Sequence, residues 1–391
     1  MLTAQQQGVI LLIKSALTGE KYSLPEDFDL KSAFNLTKKH GIGSMFYYGA
    51  INCGLEEDNP VLQDAFLMTC AMISRNAKQI FEIEKLFEKF DESKIEYMPL
   101  KGTLLKDMYP KSEMRVMADA DILIKTAQYN QIKSIMLDLG YEEKAVTDHE
   151  LQWLRPSLYV ELHSRLIPSY NKDYYDYYGD GWQLAKLCDG TRYSMTDEDQ
   201  MIYLFTHFAK HYRDAGIGLK HIVDLWIYRN NKSTLDEEYI KNELKKLQLD
   251  KFYLNIIETL EVWFKGKSSS EITDFVTDYI FECGAAGSKE NYIVSDMLKN
   301  SKTISAGKSS KFKRYWYYIF FPYTKMCMKY PFLKKFPIAL PIMWVVRWIS
   351  ALMDKNKIAS VNAVVNEVSD DQILDRQRSL NFVGLDFNFK E

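Results

Sequence analysis

Apolar residues recur every three or four positions between residues 71 and 90, at Ile73, Ala77, Ile80, Ile83, Phe87 and Phe90. Charged residues such as Arg75, Lys78, Glu82, Lys85 and Glu88 fill the gaps. That period predicts an amphipathic helix. The polar run Asp91-Glu92-Ser93-Lys94 ends it, and Ile95–Leu100 reads as a strand. Pro99 has no N–H to give a ladder, so the strand lies at a sheet edge or stops there. Leu104–Met108 predicts a short helix, Met117–Ile124 a second strand, and Thr126–Leu139 a helix with Tyr129, Ile132, Ile135, Met136 and Leu139 on one face. Gly140 sits where a left-handed cap would close that helix. Tyr141–Val146 and Ser157–His163 read as further strands, and the Tyr-, Asp- and Gly-rich stretch Ser169–Trp182 as a loop. Helical periodicity returns over 198–230 and 236–300. The pattern is that of a small α/β unit, about 70 to 165, set between helical flanks.

Composition narrows the class. The chain has 391 residues, 50 Lys and Arg against 53 Asp and Glu, and 47% hydrophobic residues, which is ordinary for a globular protein with two or three domains. Near-neutral charge excludes a dedicated duplex-DNA binder. The five cysteines lack any C-x-x-C spacing and read as free thiols. The first residues lack the basic start of a signal peptide, and Phe336–Met353, with two prolines and Arg347, falls short of a spanning helix. A cytoplasmic location is expected. The charge is unevenly spread: Met297–Met353 holds eleven Lys and Arg and no Asp or Glu, leaving 39 basic against 53 acidic residues elsewhere.

The candidate chemistry lies in the α/β unit. Strand alternation puts the Asp119 and Asp121 carboxylates on one face, opposite Ala120 and Ile122. Two carboxylates so close repel each other, and a hard divalent cation such as Mg²⁺ resolves the repulsion. An acidic strand face turned to water is the plain alternative. Lys101-Gly102-Thr103 stands at a strand-to-helix junction, where free N–H groups favour phosphate and glycine allows close approach. A simple turn capped by Thr103 would read the same. In Tyr159–His163, Glu161 shares a face with Tyr159 and His163, and a third carboxylate on a neighbouring strand could complete a two-metal site.

Leu100-Lys101-Gly102-Thr103, Asp119-Ala120-Asp121-Ile122 and Glu161 together resemble the nucleotidyltransferase superfamily related to DNA polymerase beta. The longer pattern, Pro99-Leu100-Lys101-Gly102 through Tyr109-Pro110 and Arg115 to Asp119–Leu123, is similar to a bacterial branch of uncharacterised nucleotidyltransferases with Leu-Lys-Gly in place of Gly-Ser. Glu161-Leu162-His163, His207–His211 and Asp224-Leu225 extend the likeness, which covers about 95 to 230. Two features depart from the pattern: Thr103 replaces the usual Ser or Gly, and residues 104–118 make a long spacer before Asp119.

The resemblance implies an α+β fold, a small mixed-sheet nucleotidyltransferase core with helical flanks. The implied divisions are an N-terminal helical region (1–68), the core (69–168), a helical substrate or cleft domain (169–300) and a basic aromatic C-terminal region (301–391). It implies transfer of a nucleoside monophosphate from an NTP, ATP foremost, to an acceptor hydroxyl of a small molecule or protein. Asp119, Asp121 and Glu161 would hold two Mg²⁺ ions, with Glu161 a metal ligand or a general base. Removing Asp119 or Asp121 should relieve repulsion and leave folding intact or improved. Lys101, Gly102, Thr103, Arg115, Lys210 and His211 would contact the nucleotide.

Other readings stay open. His207, Lys210 and His211 share a helical face, followed by Lys220, His221 and Asp224. This basic face looks across a cleft toward the acidic strands, or is a solvated surface, or sets His207 and His211 on zinc. Lys101 and Arg115 neutralise phosphate or lie on the surface. Residues 305–355 interleave Lys and Arg with Tyr, Trp and Phe, a mixture suited to an anionic membrane surface or single-stranded nucleic acid, or to a helical layer with lysines outward. The rival functions are a catalytically inactive binding protein or membrane-surface scaffold of the same fold, and a metal-dependent phosphoester hydrolase.

Overall fold

In a computed structural model of the chain, which describes residues 2–147, 149–169, 171–232, 234–285, 287–299, 316, 319–352 and 370–385, the apolar runs flanking Lys101-Gly102-Thr103 pair with each other. Strand β1 (Tyr97–Pro99) lies antiparallel to β2 (Ala120–Ile124), with Met98 opposite Leu123 and Pro99 opposite Ile122. The remaining strands are β3 (Glu142–Val146), β4 (Glu150–Leu154), β5 (Tyr159–His163), β6 (Lys186–Asp189) and β7 (Arg192–Ser194). They form one sheet in the order β3-β4-β5-β2-β1-β7-β6. The β2–β5 and β1–β7 pairs are parallel and the others antiparallel. With helices on either side in sequence, this is the α+β class expected.

β1 is therefore interior rather than an edge strand. Pro99 is tolerated because the strand ends at it. The hairpin β6–β7 that covers its far side escaped the sequence reading because β6 has no apolar alternation: Leu187 and Cys188 are adjacent, and all four side chains are exposed. β4 escaped as well, although Leu151 and Trp153 alternate with Glu150 and Gln152.

The chain divides into two compact units, residues 1–288 with 383–385 and residues 289–382. In the first, α1 (Ala4–Thr18), α2 (Leu30–Lys39) and α3 (Gly43–Asn52) lead into α4 (Pro60–Glu92). α4 starts earlier than its apolar period suggests because Asn59 caps it, its side-chain oxygen accepting from Val61 N–H, with Pro60 in the first turn. Its buried stripe also differs from the expected one. Ile73 and Ala77 are exposed, whereas Asn76 and Gln79 are buried. Gln79 Nε2 donates to the Met117 carbonyl at 3.2 Å and Asn76 Nδ2 to Ser112 Oγ at 2.5 Å. Two buried amides thus tie down the loop that delivers β2, a role no apolar pattern reveals.

After β1 come α5 (Lys101–Leu105) and, past β2, α6 (Tyr129–Asp138). Gly140 closes α6 at φ +78°, as the cap position requires. The expected loop 169–182 contains a helix, α7 (Lys172–Tyr178), because Tyr174 and Tyr178, one turn apart, are buried and Tyr178 hydrogen-bonds Thr206 at 2.8 Å. Then follow α8 (Asp197–Asp214), α9 (Leu219–Asn231), α10 (Glu237–Lys246), α11 (Asp250–Lys265) and α12 (Glu271–Cys283).

One core positions the chemistry. Ile83, Leu86 and Phe90 of α4 and Ile132 and Met136 of α6 pack against Ala120, Ile122, Ile124, Val160 and Leu162 of β2 and β5. Each large aliphatic buried there stabilises the fold by about 1.5–3 kcal/mol. Even-numbered residues of β2 and β5 are thereby committed to the core, and the odd-numbered ones must face the other way. The second unit contains α13 (Lys289–Lys299), α14 (Tyr323–Lys329), α15 (Leu340–Leu352) and α16 (Asp370–Phe382). Among the described residues no helix is long and apolar enough to cross a membrane. Part of the basic aromatic stretch 305–355, including residues 305–315, lies outside the described residues.

Candidate active site

The face of the sheet turned from the core carries the acids. Parallel pairing sets Asp121 opposite Glu161 and Leu123 opposite His163, while antiparallel pairing sets Glu150 opposite His163 and Gln152 opposite Glu161. Asp119 precedes β2 on the same side. Asp119, Asp121, Glu150, Glu161 and His163 line one wall of a cleft of about 350 Å³. The opposite wall comes from α8 and α9, with His207, Lys210, His211, Lys220 and His221. Of the residues expected to act, Lys101, Gly102, Arg115, Asp119, Asp121, Glu161, Lys210 and His211 all line this cleft. Thr103 does not: its amide donates to the Leu100 carbonyl at 3.2 Å, and its buried hydroxyl has no partner among the described residues.

Asp121 is not an unpaired half of a repelling couple. Lys101 Nζ lies 2.9 Å from its Oδ1, and His163 Nε2 lies 2.7 Å from the same oxygen. Burial alone would raise the Asp121 carboxyl, but Lys101 and then His163 outweigh it and hold it well below the usual range. For Asp119 and Glu161 the nearby cations are outweighed: Lys101 and Lys220 lower Asp119, and Lys101 lowers Glu161, but neither carboxyl is brought below its ordinary range. Burial and then Asp121 push Asp119 up, while burial and then Glu150, Asp119 and Asp121 push Glu161 to about 7. The wall therefore carries more negative charge than the protein neutralises.

Asp121, Glu161 and His163 each present one ligand atom, all within 4.8 Å of one another, and so do His149, Glu150 and His163. Asp119 is outside both sets. His149 and Glu150 were missed because β4 was missed; the alternation at 150–153 was the available signal. His163 was placed on the right face but given no role.

The basic wall holds mostly neutral imidazoles. His207 Nε2 and His211 Nε2 are 3.0 Å apart. Burial drives His211 down to about 3 and His207 and His221 well below their ordinary value. His207 and His211 join no third ligand among the described residues to make a zinc site. Burial, then Arg115, lowers Lys220, which makes no ion pair among the described residues. A desolvated ammonium of this kind gains most from an anion entering the cleft.

Lys101 and Gly102 form the seam between the walls. Lys101 holds φ +40°, a conformation unusual for a non-glycine residue. A Cβ on Gly102 would lie 2.6 Å from Arg115 Nη1, so glycine is required by the guanidinium behind it. Arg115 is buried, and its Nε and Nη2 donate to the two oxygens of Asp224 on α9, each at 3.0 Å. Tyr109 O–H donates to Asp224 Oδ1 at 2.6 Å. Arg115 thus pins the helical wall to the turn of the sheet.

A family model described as uncharacterised nucleotidyltransferase matches residues 26–265 of the chain. The match runs from just before α2 to the end of α11 and includes every cleft residue named above. No curated protein and no solved structure matches.

Proposed function

This chain belongs to the uncharacterised nucleotidyltransferase family, and on that premise we propose that its cleft moves a nucleoside monophosphate from an NTP, with ATP the first to test, to an acceptor hydroxyl with the help of Mg²⁺. The observation that carries the reading is the pairing of Asp121 with Glu161 on adjacent parallel strands, Asp119 beside them, across the cleft from Lys210 and Lys220. An acidic wall facing a cationic one suits a metal-bound triphosphate.

The residues fit the cation. Asp119, Asp121 and Glu161 offer hard carboxylate oxygens, and the Asp119 and Glu161 carboxyls, raised first by burial and then by neighbouring acids, would ionise more readily beside a divalent ion. A bound Mg²⁺ supplies polarisation of the reacting phosphate and lowers the pKa of the acceptor hydroxyl. The protein's own groups do the rest. Lys210 and Lys220 draw the phosphates to the helical wall, and Gly102, by leaving room for the Arg115 guanidinium, keeps the turn beside the leaving pyrophosphate in place. Glu161 either completes the ligand set or accepts the acceptor's proton, a task that suits a carboxyl poised at about 7. The neutral His211 offers a hydrogen bond without adding repulsion on the cationic side.

One observation favours a second reading. Lys101 already occupies the Asp121 oxygen that a cation would take, as it would in a protein that binds nucleotide without turning it over. Incubation with Mg²⁺ and each α-labelled NTP, alone and with cell extract, separates the two. Label on protein, RNA or a small metabolite supports transfer and names the acceptor class. Saturable NTP binding without label transfer under any acceptor supports the inactive binding protein.

A further inference from the structure

α15 is apolar on two faces. One turns Leu340, Met343 and Trp344 onto a small core of Met326, Cys327 and Leu333. The indole N–H groups of Trp344 and Trp348 donate to the Phe321 and Ile319 carbonyls at 2.9 and 2.7 Å. The other face carries Ile342, Val345, Val346 and Ile349, which are exposed at 66%, 46%, 43% and 55%. Helical spacing puts these four on one stripe, where a water-facing helix would carry polar residues. Just before the helix, Phe336 and Ile338 are 67% and 94% exposed. One exposed apolar side chain needs no explanation, but six within one short segment mark a surface made to be covered.

Charge identifies what covers it. Residues 297–353 contain no Asp or Glu, and Lys329, Lys334 and Lys335 are exposed and make no ion pair with any described residue. A second copy of the chain would bring the same lysines to the contact. A nucleic acid would leave the aliphatic stripe in water, because bases stack on aromatics, and Trp344 and Trp348 are already engaged edge-on with Phe320 at centroid distances of 5.1 and 5.2 Å. We propose that this segment docks on an anionic lipid bilayer, the stripe of α15 entering the headgroup–acyl boundary and the lysines meeting lipid phosphates. The helix has 13 residues, a length of about 20 Å, against a hydrocarbon core of about 30 Å. It therefore lies in the plane of the interface. Docking holds the chain where any acceptor carried by the membrane is concentrated.

Vesicle flotation of the full chain tests the proposal, with phosphatidylcholine vesicles and with phosphatidylcholine–phosphatidylserine vesicles, over a salt series. The expected result is roughly tenfold or stronger preference for the anionic vesicles, weakening as salt rises. I342E/V346E should lose at least about tenfold in binding with an unchanged thermal midpoint and circular dichroism. K334E/K335E should flatten the salt dependence. Equal partition into both vesicle types, binding indifferent to I342E/V346E, or no flotation at all overturns it. So does a solution dimer that I342E/V346E dissolves without any vesicle binding, or retention on RNA in place of vesicles.

Discussion

Lys101 Nζ lies 2.9 Å from Asp121 Oδ1, and both side chains are largely sealed from water, 18% and 6% exposed. The contact joins the first residue of α5, just past β1, to the carboxylate at the centre of the sheet's acidic face. It makes Asp121 the fully compensated member of the cluster, whereas burial and the neighbouring acids outweigh the cations near Asp119 and Glu161 and leave both raised. A divalent ion entering the cleft must share Asp121 with Lys101 or displace it.

Lys101→Met tests it. Methionine keeps most of the apolar stem and removes the ammonium, leaving Asp121 buried with His163 alone. Removing one partner of a buried pair costs about 3 kcal/mol, so the thermal midpoint in chelator should fall. Added Mg²⁺ should then stabilise the variant more than the wild type, because the cation no longer competes with the lysine. Equal Mg²⁺-induced shifts in the two proteins would show that Lys101 does not compete for that oxygen.

Asp119 and Asp121 should respond differently to neutralisation, contrary to the simple repulsion argument for the pair. Asp119→Asn removes a charge raised by burial and by Asp121, so metal-free stability should hold or rise slightly. Asp121→Asn strips the charge partner from a buried lysine and should lose about 3 kcal/mol. Both variants should reduce label transfer on the order of 10²-fold or more. Denaturant midpoints in chelator, set beside transfer rates, separate the two effects, and full activity in Asp119→Asn would reject its place in the cation site.

The acidic strands were legible because strand alternation is rigid: once Ala120, Ile122, Val160 and Leu162 are read as core, Asp121, Glu161 and His163 have only the other face. Period alone could not reveal that Lys101 would turn onto Asp121, because that depends on a positive φ at one residue. Nor could it show that Arg115, read as a phosphate ligand, would be consumed by Asp224 109 residues away. The stripe of α4 misled for a related reason. Asn76 and Gln79 are buried to hold a loop, and exposed Ile73 mimics a core position. Local pattern reports which face is apolar, whereas long-range polar pairing decides which charges remain available.

Glu161 should leave a signature in the pH dependence of stability. Its carboxyl ionises near 4.5 in an unfolded chain and at about 7 in the folded one. Below 4.5 both forms hold the proton, so the folded state pays no penalty there. Between the two values the unfolded chain has released its proton and the folded chain keeps it. Stability contributed by this group therefore falls as pH rises, and the loss is complete above 7, on the order of 3 kcal/mol. In chelator, Glu161→Gln should flatten that part of the curve relative to wild type. Parallel curves for the two proteins from pH 4.5 to 7 would remove Glu161 from the strained cluster.

Gly102 and Arg115 should behave as positioning residues. Arg115 holds Asp224 with two hydrogen bonds, so its guanidinium cannot retreat from a new methyl group that would lie 2.6 Å from Nη1. In Gly102→Ala the turn must move instead, carrying Lys101 away from Asp121 and distorting the seam between the walls. Transfer should fall by roughly tenfold or more, since small displacements of positioning groups have large effects on rate, while stability falls by about 1–3 kcal/mol. Arg115→Lys keeps the charge but not the two-pronged contact, leaving Asp224 with Tyr109 and one ammonium. It should loosen α9 and weaken NTP binding through Lys220, raising the KM for NTP more than it lowers kcat. A double-mutant cycle of Arg115→Lys with Asp224→Asn should return a coupling of about 1–3 kcal/mol. Additive losses would mean that the pair does not join the helical wall to the sheet, and the cleft would have to be held by its apolar contacts alone.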